Sequence, residues 1–563
     1  KFPVHGFLSS MEIPLHIGLS NTRIDSMFFV WPDGTYQTVS LSKDTSAVSL
    51  SYQKNLPVFN YNKIISFKKL QSFPVTDIAS VVGLNFRHVE NTYAEFDQEP
   101  LLPHMFSTEG PALAVADINH DGTQDVFIGS AKGQKSAVFI QSSSGHFTKI
   151  DVPALDNDST YEDVSATWAD VNNDGNLDLV VASGGNEYAG EDNYLAPRIY
   201  LNDGKLHFTV VTNAFDHIYV NASCILATDF DNDGYPDLVI TGRTVPWSYG
   251  EIPHSYLLRN NKNGTFKDVT SLYAKDLSNI GLVTNSVLVD LDKDGDQDLV
   301  LSLEWGGIVA FINNNGTFTK RMLTDKRGWW NFVVPCDVDN DGDVDLIAGN
   351  LGLNSRLKAT DQEQVKLYYN DFDGNGKKEQ VMTYYVDGKE IPFANKAELE
   401  KQIPLIKKKF LYAKDFANAS LNDIFSEQKL NEASKFSANY FSNSILINDG
   451  KMNFTVQPMP WEAQLSSYKD AAIVNANGDS LPDILIVGNY YENNIQMGRY
   501  DADFGTLLIN KGHGAFDCES LNGLKIKGQV RHINKIKVGK KEAYILARNN
   551  DSTVVIKFKQ DNK

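Results

Sequence analysis

One short pattern of oxygen-bearing residues recurs seven times along the chain. It reads DINHDGTQD at 117–125, DVNNDGNLD at 170–178, DFDNDGYPD at 229–237, DLDKDGDQD at 290–298 and DVDNDGDVD at 337–345. DFDGNGKKE at 371–379 and NANGDSLPD at 475–483 are looser copies. Positions 1, 3, 5 and 9 carry side-chain oxygens, and position 7 offers its backbone carbonyl. About six or seven oxygens around one point is what a hard divalent cation such as Ca2+ requires. Glycine at position 6 permits the sharp turn that gathers them. The first loop would use Asp117, Asn119, Asp121, the Thr123 carbonyl and Asp125. The second would use Asp170, Asn172, Asp174, Asn176 and Asp178, and the third Asp229, Asp231, Asp233, Tyr235 and Asp237. The fourth set is Asp290, Asp292, Asp294, Asp296 and Asp298, and the fifth Asp337, Asp339, Asp341, Asp343 and Asp345. The sixth is Asp371, Asp373, Asn375, Lys377 and Glu379, and the seventh Asn475, Asn477, Asp479, Leu481 and Asp483. The seventh has two carboxylates and Ser480 in place of glycine, so it is expected to bind most weakly.

The start of this loop is shared with the EF-hand, which needs a bidentate Glu at position 12 and a helix on each side. Position 12 here is Ile128, Val181, Ile240, Leu301, Ala348, Met382 or Ile486, and none of these binds a cation. The alternative of metal-free Asp-Gly turns is opposed by electrostatics, because several carboxylates held close together repel one another. The net charge is −19, and seven divalent cations would bring it to about −5. Six or seven Ca2+ sites are therefore expected. Sites of this kind suit the calcium level outside cells rather than that of cytosol, which places the protein outside the cytoplasm.

The loops need rigid elements to hold them. Short apolar runs lie on both sides of each copy, for example LAVA and VFIG around the first, or SVLV and LVLS around the fourth. A strand–loop–strand hairpin follows. Between most copies falls a second turn ending in Phe: SSGHF (143–147), NDGKLHF (202–208), NNKNGTF (260–266), NNNGTF (313–318), NDGKMNF (448–454) and NKGHGAF (510–516). Two hairpins make a four-stranded unit of roughly 50–60 residues, whose repetition is the signature of a β-propeller. The fold expected is all-β, with eight blades favoured and seven allowed. The Lys-rich stretch 397–430 has apolar residues at helical spacing and is expected to form a helical insertion at about 390–440.

In a four-stranded meander the metal loops and the Asn/Gly turns share one face. The remaining loops lie on the other, and they are rich in aromatics. Tyr188, Trp247, Tyr249, Trp305, Trp329, Trp330, Trp461, Tyr490 and Tyr491 are the candidate ligand-binding residues there. Aromatics displayed on a rigid scaffold read as a recognition surface; packing between blades is the competing reading.

The motif and its flanking strands resemble the FG-GAP/VCBS repeat of integrin α-chain propellers and bacterial surface proteins, over roughly residues 100–560. GFLSSMEIPLHIGLS (6–20) and IDSMFFVWPDGTYQTVSL (24–41) resemble the ASPIC/UnbV module. The resemblance implies a chain that is the C-terminal part of a large Bacteroidetes-type surface protein, with its ASPIC/UnbV segment truncated and an export signal or lipid anchor on the preceding part. The division expected is 1–55 for that module, 56–100 for a linker and ring-closing strand, and 101–563 for the propeller.

Acidity opposes nucleic-acid binding. No run of 18 apolar residues suggests a transmembrane helix. Three cysteines, Cys224, Cys336 and Cys518, imply no disulfide framework. The function these features favour is a calcium-binding scaffold at the cell surface or outer membrane, or secreted, that takes a protein partner, such as an outer-membrane complex, or a glycan. The alternative is a calcium-dependent polysaccharide lyase or hydrolase using Glu187, Glu191, Asp192, Glu251 or Glu304. No GxSxG, HExxH or phosphate-binding glycine loop stands out.

Overall fold

A computed structural model of the chain describes residues 4–6, 9–11, 26–40, 48–61 and 73–559. The chain divides into two compact units, Lys1–Gln71 and Ser72–Lys563. In the first, Val4–Gly6 pairs with Ser9–Met11 and Phe28–Val30 with Tyr36–Thr38, both antiparallel. Trp31 stands edge-on to Phe29 and Tyr52, and its Nε1 donates to Gln37 Oε1 at 3.1 Å.

The second unit is a β-propeller. Its sequence alternates strand-forming runs with Asx-Gly turns, and each set of four runs closes into one antiparallel sheet. Blade 1 spans Leu113–Ala116, Asp125–Ile128, Ala137–Gln141 and Phe147–Ile150. Blade 2 starts at Asp163, blade 3 at Asn221 and blade 4 at Leu282. Blade 5 takes its first two strands from Phe332–Cys336 and Asp345–Gly349, and its last two from Ser444–Asn448 and Phe454–Pro458. Blade 6 starts at Tyr468 and blade 7 at Gln529. The fourth strand of blade 7 is Phe73–Asp77, which pairs antiparallel with Val554–Phe558. The last strand of blade 6 also touches it, in parallel register at Leu521 and Asn522.

Among the described residues eight antiparallel sheets of four strands can be traced, that of blade 4 with a short added strand, Gly328–Trp329, and seven of them take part in a cycle. The first strands of blades 1 to 7 contact one another in order, and that of blade 7 returns to that of blade 1. The eighth sheet is inserted between the second and third strands of blade 5. Its strand order is Lys389–Pro392, Glu379–Val386, Val365–Asn370 and Ser434–Ala438. Short helices from Lys396–Gln402 to Glu427–Glu432 complete it and bury Leu399, Ile403, Ile406, Phe410 and Leu430 against Tyr368 and Val381. The sheet that carries the acidic loop at 371–379 lies off this cycle, between the halves of blade 5.

This insert and the segment around Leu102 and Phe106 share one core with Tyr249, Trp305, Trp329 and Tyr490, which belong to the loops opposite the acidic ones. The core explains why the sequence spends so many large aromatics on connecting loops: there they anchor a lid of some 90 residues to the ring, and burying each is worth roughly 2–3 kcal/mol.

Acidic hairpin loops and the opposite loop face

Six of the seven acidic loops join the first and second strands of blades 1–6, and the sixth in sequence opens the inserted sheet. Their shape is set locally. Position 1 uses both carboxylate oxygens on the chain: Asp170 accepts from Asp174 N at 3.0 Å and Gly175 N at 2.8 Å, and Asp229 from Asp233 N at 2.9 Å and Gly234 N at 2.8 Å. This bend needs the left-handed region twice. Position 4 is His120, Asn173, Asn232, Lys293 or Asn340 at φ 56–63°, and position 6 is a glycine at φ 83–98° in the five strict copies. No atom lies within 4 Å of a Cβ built on those glycines, so the requirement is conformational rather than steric. In the seventh loop Gly478 supplies one left-handed residue and Ser480 does not supply the second.

Position 9 is the buried end of each loop. Asp125, Asp178, Asp237, Asp298, Asp345 and Asp483 have no exposed surface. In loop 2, Asp178 Oδ2 accepts Val171 N at 3.1 Å and its Oδ1 accepts Asn202 N on the third strand at 2.9 Å. The same pair of bonds recurs at Asp298, Asp345 and Asp483. Burial first, and the neighbouring carboxylates after it, push Asp178 and Asp237 up to about 7 and Asp125, Asp298 and Asp345 up to about 6. A cation held among these groups reverses that shift.

Among the described residues, four groups bring three carboxylate oxygens within 4.8 Å of one another: Asp229–Asp231–Asp237, Asp290–Asp292–Asp294, Asp337–Asp339–Asp345 and Asp371–Asp373–Glu379. The donor set fits a hard cation. Oδ1 of Asp231, Asp337 and Asp339 and Oδ2 of Asp237 are buried with no hydrogen-bond partner, which is costly for a carboxylate unless an ion completes it. The first, second and seventh loops place Asp117, Asn119, Asp121 and Asp125, or Asp170, Asn172, Asp174 and Asp178, or Asn475, Asn477, Asp479 and Asp483, on the same hairpin without so tight a carboxylate group. Their amides fill part of the space: Asn172 Nδ2 donates to Asp174 at 3.0 Å and Asn477 Nδ2 to Asp479 at 2.6 Å. Surface cations also reach in. Arg259 lies 2.6 Å from Asp231 and 3.2 Å from Asp233, and Lys293 pairs with Asp343 of the next loop.

One role of the repeat escaped the sequence reading. In blades 2, 3, 4 and 6 the first Asn of the Asn/Gly turn lies at the end of the third strand or one residue before it, and its side chain crosses to the neighbouring blade, whereas Asn448 of blade 5 bonds Val344 O of its own loop. Asn202 Nδ2 donates to Ile118 O at 2.9 Å, Asn260 to Val171 O at 2.8 Å, Asn313 to Phe230 O at 3.1 Å and Asn510 to Val338 O at 2.7 Å. Each acceptor is position 2 of the preceding loop. Gln141 does the same from blade 1 to Lys537 O of blade 7 at 3.0 Å. The signal was the recurrence of Asn ahead of five of the six turns, at Asn202, Asn260, Asn313, Asn448 and Asn510.

The opposite face differs from the expectation of displayed aromatics. Tyr249, Trp305, Trp329, Trp330 and Tyr490 are at most 4% exposed. Four of them lie under the insert in the shared core, and Trp330 packs in the core between blades 4 and 5, stacked on Tyr440. Trp247 and Trp461 remain open, at 45% and 61%, and Tyr188 and Tyr491 are half-buried. Trp247 takes φ 64° and donates from Nε1 to Asn186 O at 2.9 Å. Of the candidate acids, Glu187 is paired with Lys132 at 2.5 Å, Asp192 caps Tyr194 N at 2.9 Å, and Glu191 and Glu251 are exposed. Glu304 is buried between Arg243 at 2.6 Å and His104 at 3.1 Å; burial alone would raise it, and the Arg243 guanidinium first, with the His104 contact after it, holds it well below the usual carboxylate range. A carboxylate so committed is a structural ion pair and not a general acid.

A ring of four-stranded sheets with acidic hairpin loops on one face defines a β-propeller of the acidic-loop class. The FG-GAP-like repeat model matches residues 107–181, 229–301 and 290–348, and the ASPIC and UnbV model matches residues 2–56. The chain thus carries FG-GAP-like repeats together with an ASPIC and UnbV segment. Solved structures similar to it include the V. cholerae biofilm matrix protein Bap1 (10% identity, 85% of this chain and 92% of that one, TM-score 0.35) and the Dos1 propeller (7%, 86% and 95%, TM-score 0.38). YCF48 from Cyanidioschyzon merolae is a third (8%, 81% and 97%, TM-score 0.37). No curated protein matches the chain. Among the described residues no helix is long and apolar enough to cross a membrane.

Proposed function

We propose that the protein is an extracytoplasmic, calcium-loaded scaffold that presents a recognition surface to a protein partner or a glycan. The observation that carries the calcium part is the set of buried, unpartnered carboxylate oxygens at Asp231, Asp237, Asp337 and Asp339, in loops whose donors match a hard cation. Loops 3, 4, 5 and the 371–379 loop are the strongest sites on this reading. The recognition surface is narrower than the aromatic count suggests, and centres on Trp247 with Tyr188 and on Trp461. Trp247 holds an unfavourable backbone conformation while leaving its indole half open, a combination met at ligand-contacting positions. A binding role needs only this frame, whereas the lyase or hydrolase alternative has lost Glu304 as a candidate acid.

Calorimetric titration of chelator-stripped protein is expected to show at least four Ca2+ bound. A glycan array and a pull-down from membrane extract, run with wild type and with Trp247→Ala/Trp461→Ala, are expected to show one ligand class whose capture falls at least tenfold in the double variant. Undiminished capture by the variant, or turnover of acidic polysaccharide by wild type, overturns the assignment of the surface.

A further inference from the structure

The first strands of the seven blades surround an axis, and beneath the lid a cavity of about 40 Å3 lies on it. It is lined by Glu109, Arg243, Lys469 and Arg531, with hydroxyl and amide groups of Ser223, Thr284, Asn285 and Asn331. That volume holds about three waters, or a carboxylate group whose substituent lies beyond the cavity. The charges around it do not cancel. Arg243 is matched by Glu304 at 2.6 Å and leans on Glu109 at 3.3 Å, yet its Nη1 is buried with no hydrogen-bond partner. Arg531 gives its hydrogen bonds to neutral groups: Thr108 O at 2.8 Å, Asn489 O at 3.3 Å and Gln529 Oε1 at 3.2 Å. Lys469 donates to Asn331 Oδ1 at 3.0 Å and lies 4.4 Å above the Tyr490 ring, with Arg531 4.5 Å from that same ring. Asp470, next along, spends its carboxylate on Ile533 N and Ala471 N. Three cations, Arg243, Lys469 and Arg531, thus line the space with one carboxylate, Glu109, while Glu304 answers Arg243 from the adjoining space and the Asp470 carboxylate lies behind the His532 ring.

An ammonium group offers three donors. Here it has one neutral acceptor, in a place where burial, and after it Arg531 and Arg243, lower Lys469 to about 8 even against the pull of Glu109. The lysine stays part-exposed because it borders the cavity, and Asn331 and Lys469 also border the adjoining space beside Trp329 and Tyr500. Towards the acidic loops the first strands carry half-buried Ala166, Leu226, Val287, Val334 and Ile473, which leaves the axis approachable from that side.

We propose that this axial cavity is a binding site for one small carboxylate, received by Lys469 and the free Nη1 of Arg243. An anion matches this excess of cationic donors along the lining, and a planar two-oxygen group matches a guanidinium edge and an ammonium together. The site is separate from the acidic loops and does not depend on their loading. Free carboxylates and the carboxylate end of a larger acidic sugar share this chemistry, and the cavity volume admits only the carboxylate head.

The test uses the calcium-saturated full chain, with sodium acetate replacing sodium chloride at constant ionic strength, and sodium galacturonate as a second arm. The expected result is a rise of several degrees in melting temperature with acetate, and a saturation-transfer NMR signal at the acetate methyl group. A response to galacturonate as well assigns the source to acidic sugars reaching down the axis; a response to acetate alone assigns it to free small carboxylates. Lys469→Met removes a poorly partnered buried cation, so it is expected to melt at or above the wild-type temperature without acetate and to lose the acetate response. No wild-type response to either anion overturns the proposal. So does an acetate response that survives in Lys469→Met, or a variant that melts several degrees lower, which would mark the lysine as structural.

Discussion

At the scale of single residues, the chain separates buried acids by what surrounds them. Glu304 has the Arg243 guanidinium at 2.6 Å and stays ionised. Glu99 and Asp503 have only neutral donors near, among them Tyr249 N at 3.1 Å and Gly505 N at 3.0 Å, and burial raises both to about 7. A raised folded-state carboxyl stabilises the fold below its unfolded value, 4.5 or 3.8 here, and that contribution is lost as pH climbs to about 7. Glu304 acts in the opposite sense, but its loss falls well below pH 4 and outside this window. With calcium saturating, unfolding free energy is therefore expected to fall between pH 5 and 7.5, by up to about 3 kcal/mol for each of the two groups, and the melting temperature to fall with it. The slope is expected to flatten in Glu99→Gln and Asp503→Asn; a thermal scan that is flat in wild type, or equally steep in both variants, rejects the assignment. The sequence showed none of this, because Glu99 is only one of 71 acids until the lid buries it. The loop aspartates were legible for the reverse reason: their donors lie within nine residues, so local spacing alone brings them together.

Elements tell a different part of the story. Each blade is a local product of two hairpins, which is why the period, the turns and the all-β class could be read from sequence. What joins blade to blade is not local. The Asn260 amide ties Val171 O across 89 residues and also holds Pro236 O at 3.0 Å. Asn260→Ala takes its donor from the buried Val171 carbonyl and the half-buried Pro236 carbonyl, and is expected to destabilise the unit by about 1–3 kcal/mol. Asn261→Ala, an exposed neighbour in the same turn, is expected to stay within about 0.5 kcal/mol of wild type. Chemical denaturation of the pair checks this directly, and equal losses in the two would show that the turn, not the inter-blade bond, is at stake. Non-locality is also why the sequence indicated the helices of the insert at 396–432 but not the sheet they complete. Its strands sit between halves of blade 5, and its effect on Trp305 and Trp329 follows from three-dimensional packing across more than 20 residues of sequence that no period records.

For the molecule as a whole, the governing quantity is charge density on the loop face. A ring closed by one short strand, Phe73–Asp77, must hold six acidic hairpins side by side while carrying a net charge of −19. Inter-loop contacts such as Asn232 Nδ2 to Asp296 Oδ1 at 3.1 Å show how near adjacent loops come. Within roughly 10 Å, like charges are screened by salt only in part, and bound divalent ions remove the repulsion at its source. Two effects of chelation can then be told apart. If the loops are metal sites, EGTA lowers the melting temperature by at least 10 °C and opens them to protease, and 0.5 M NaCl restores part of the loss in EGTA while changing little in Ca2+. If the loops are plain turns, EGTA has no effect and salt acts alike in both. The first pattern follows from carboxylate oxygens that are buried without partners: salt can weaken their mutual repulsion, but only an inner-sphere ion supplies the missing bonds, so recovery in salt stays incomplete.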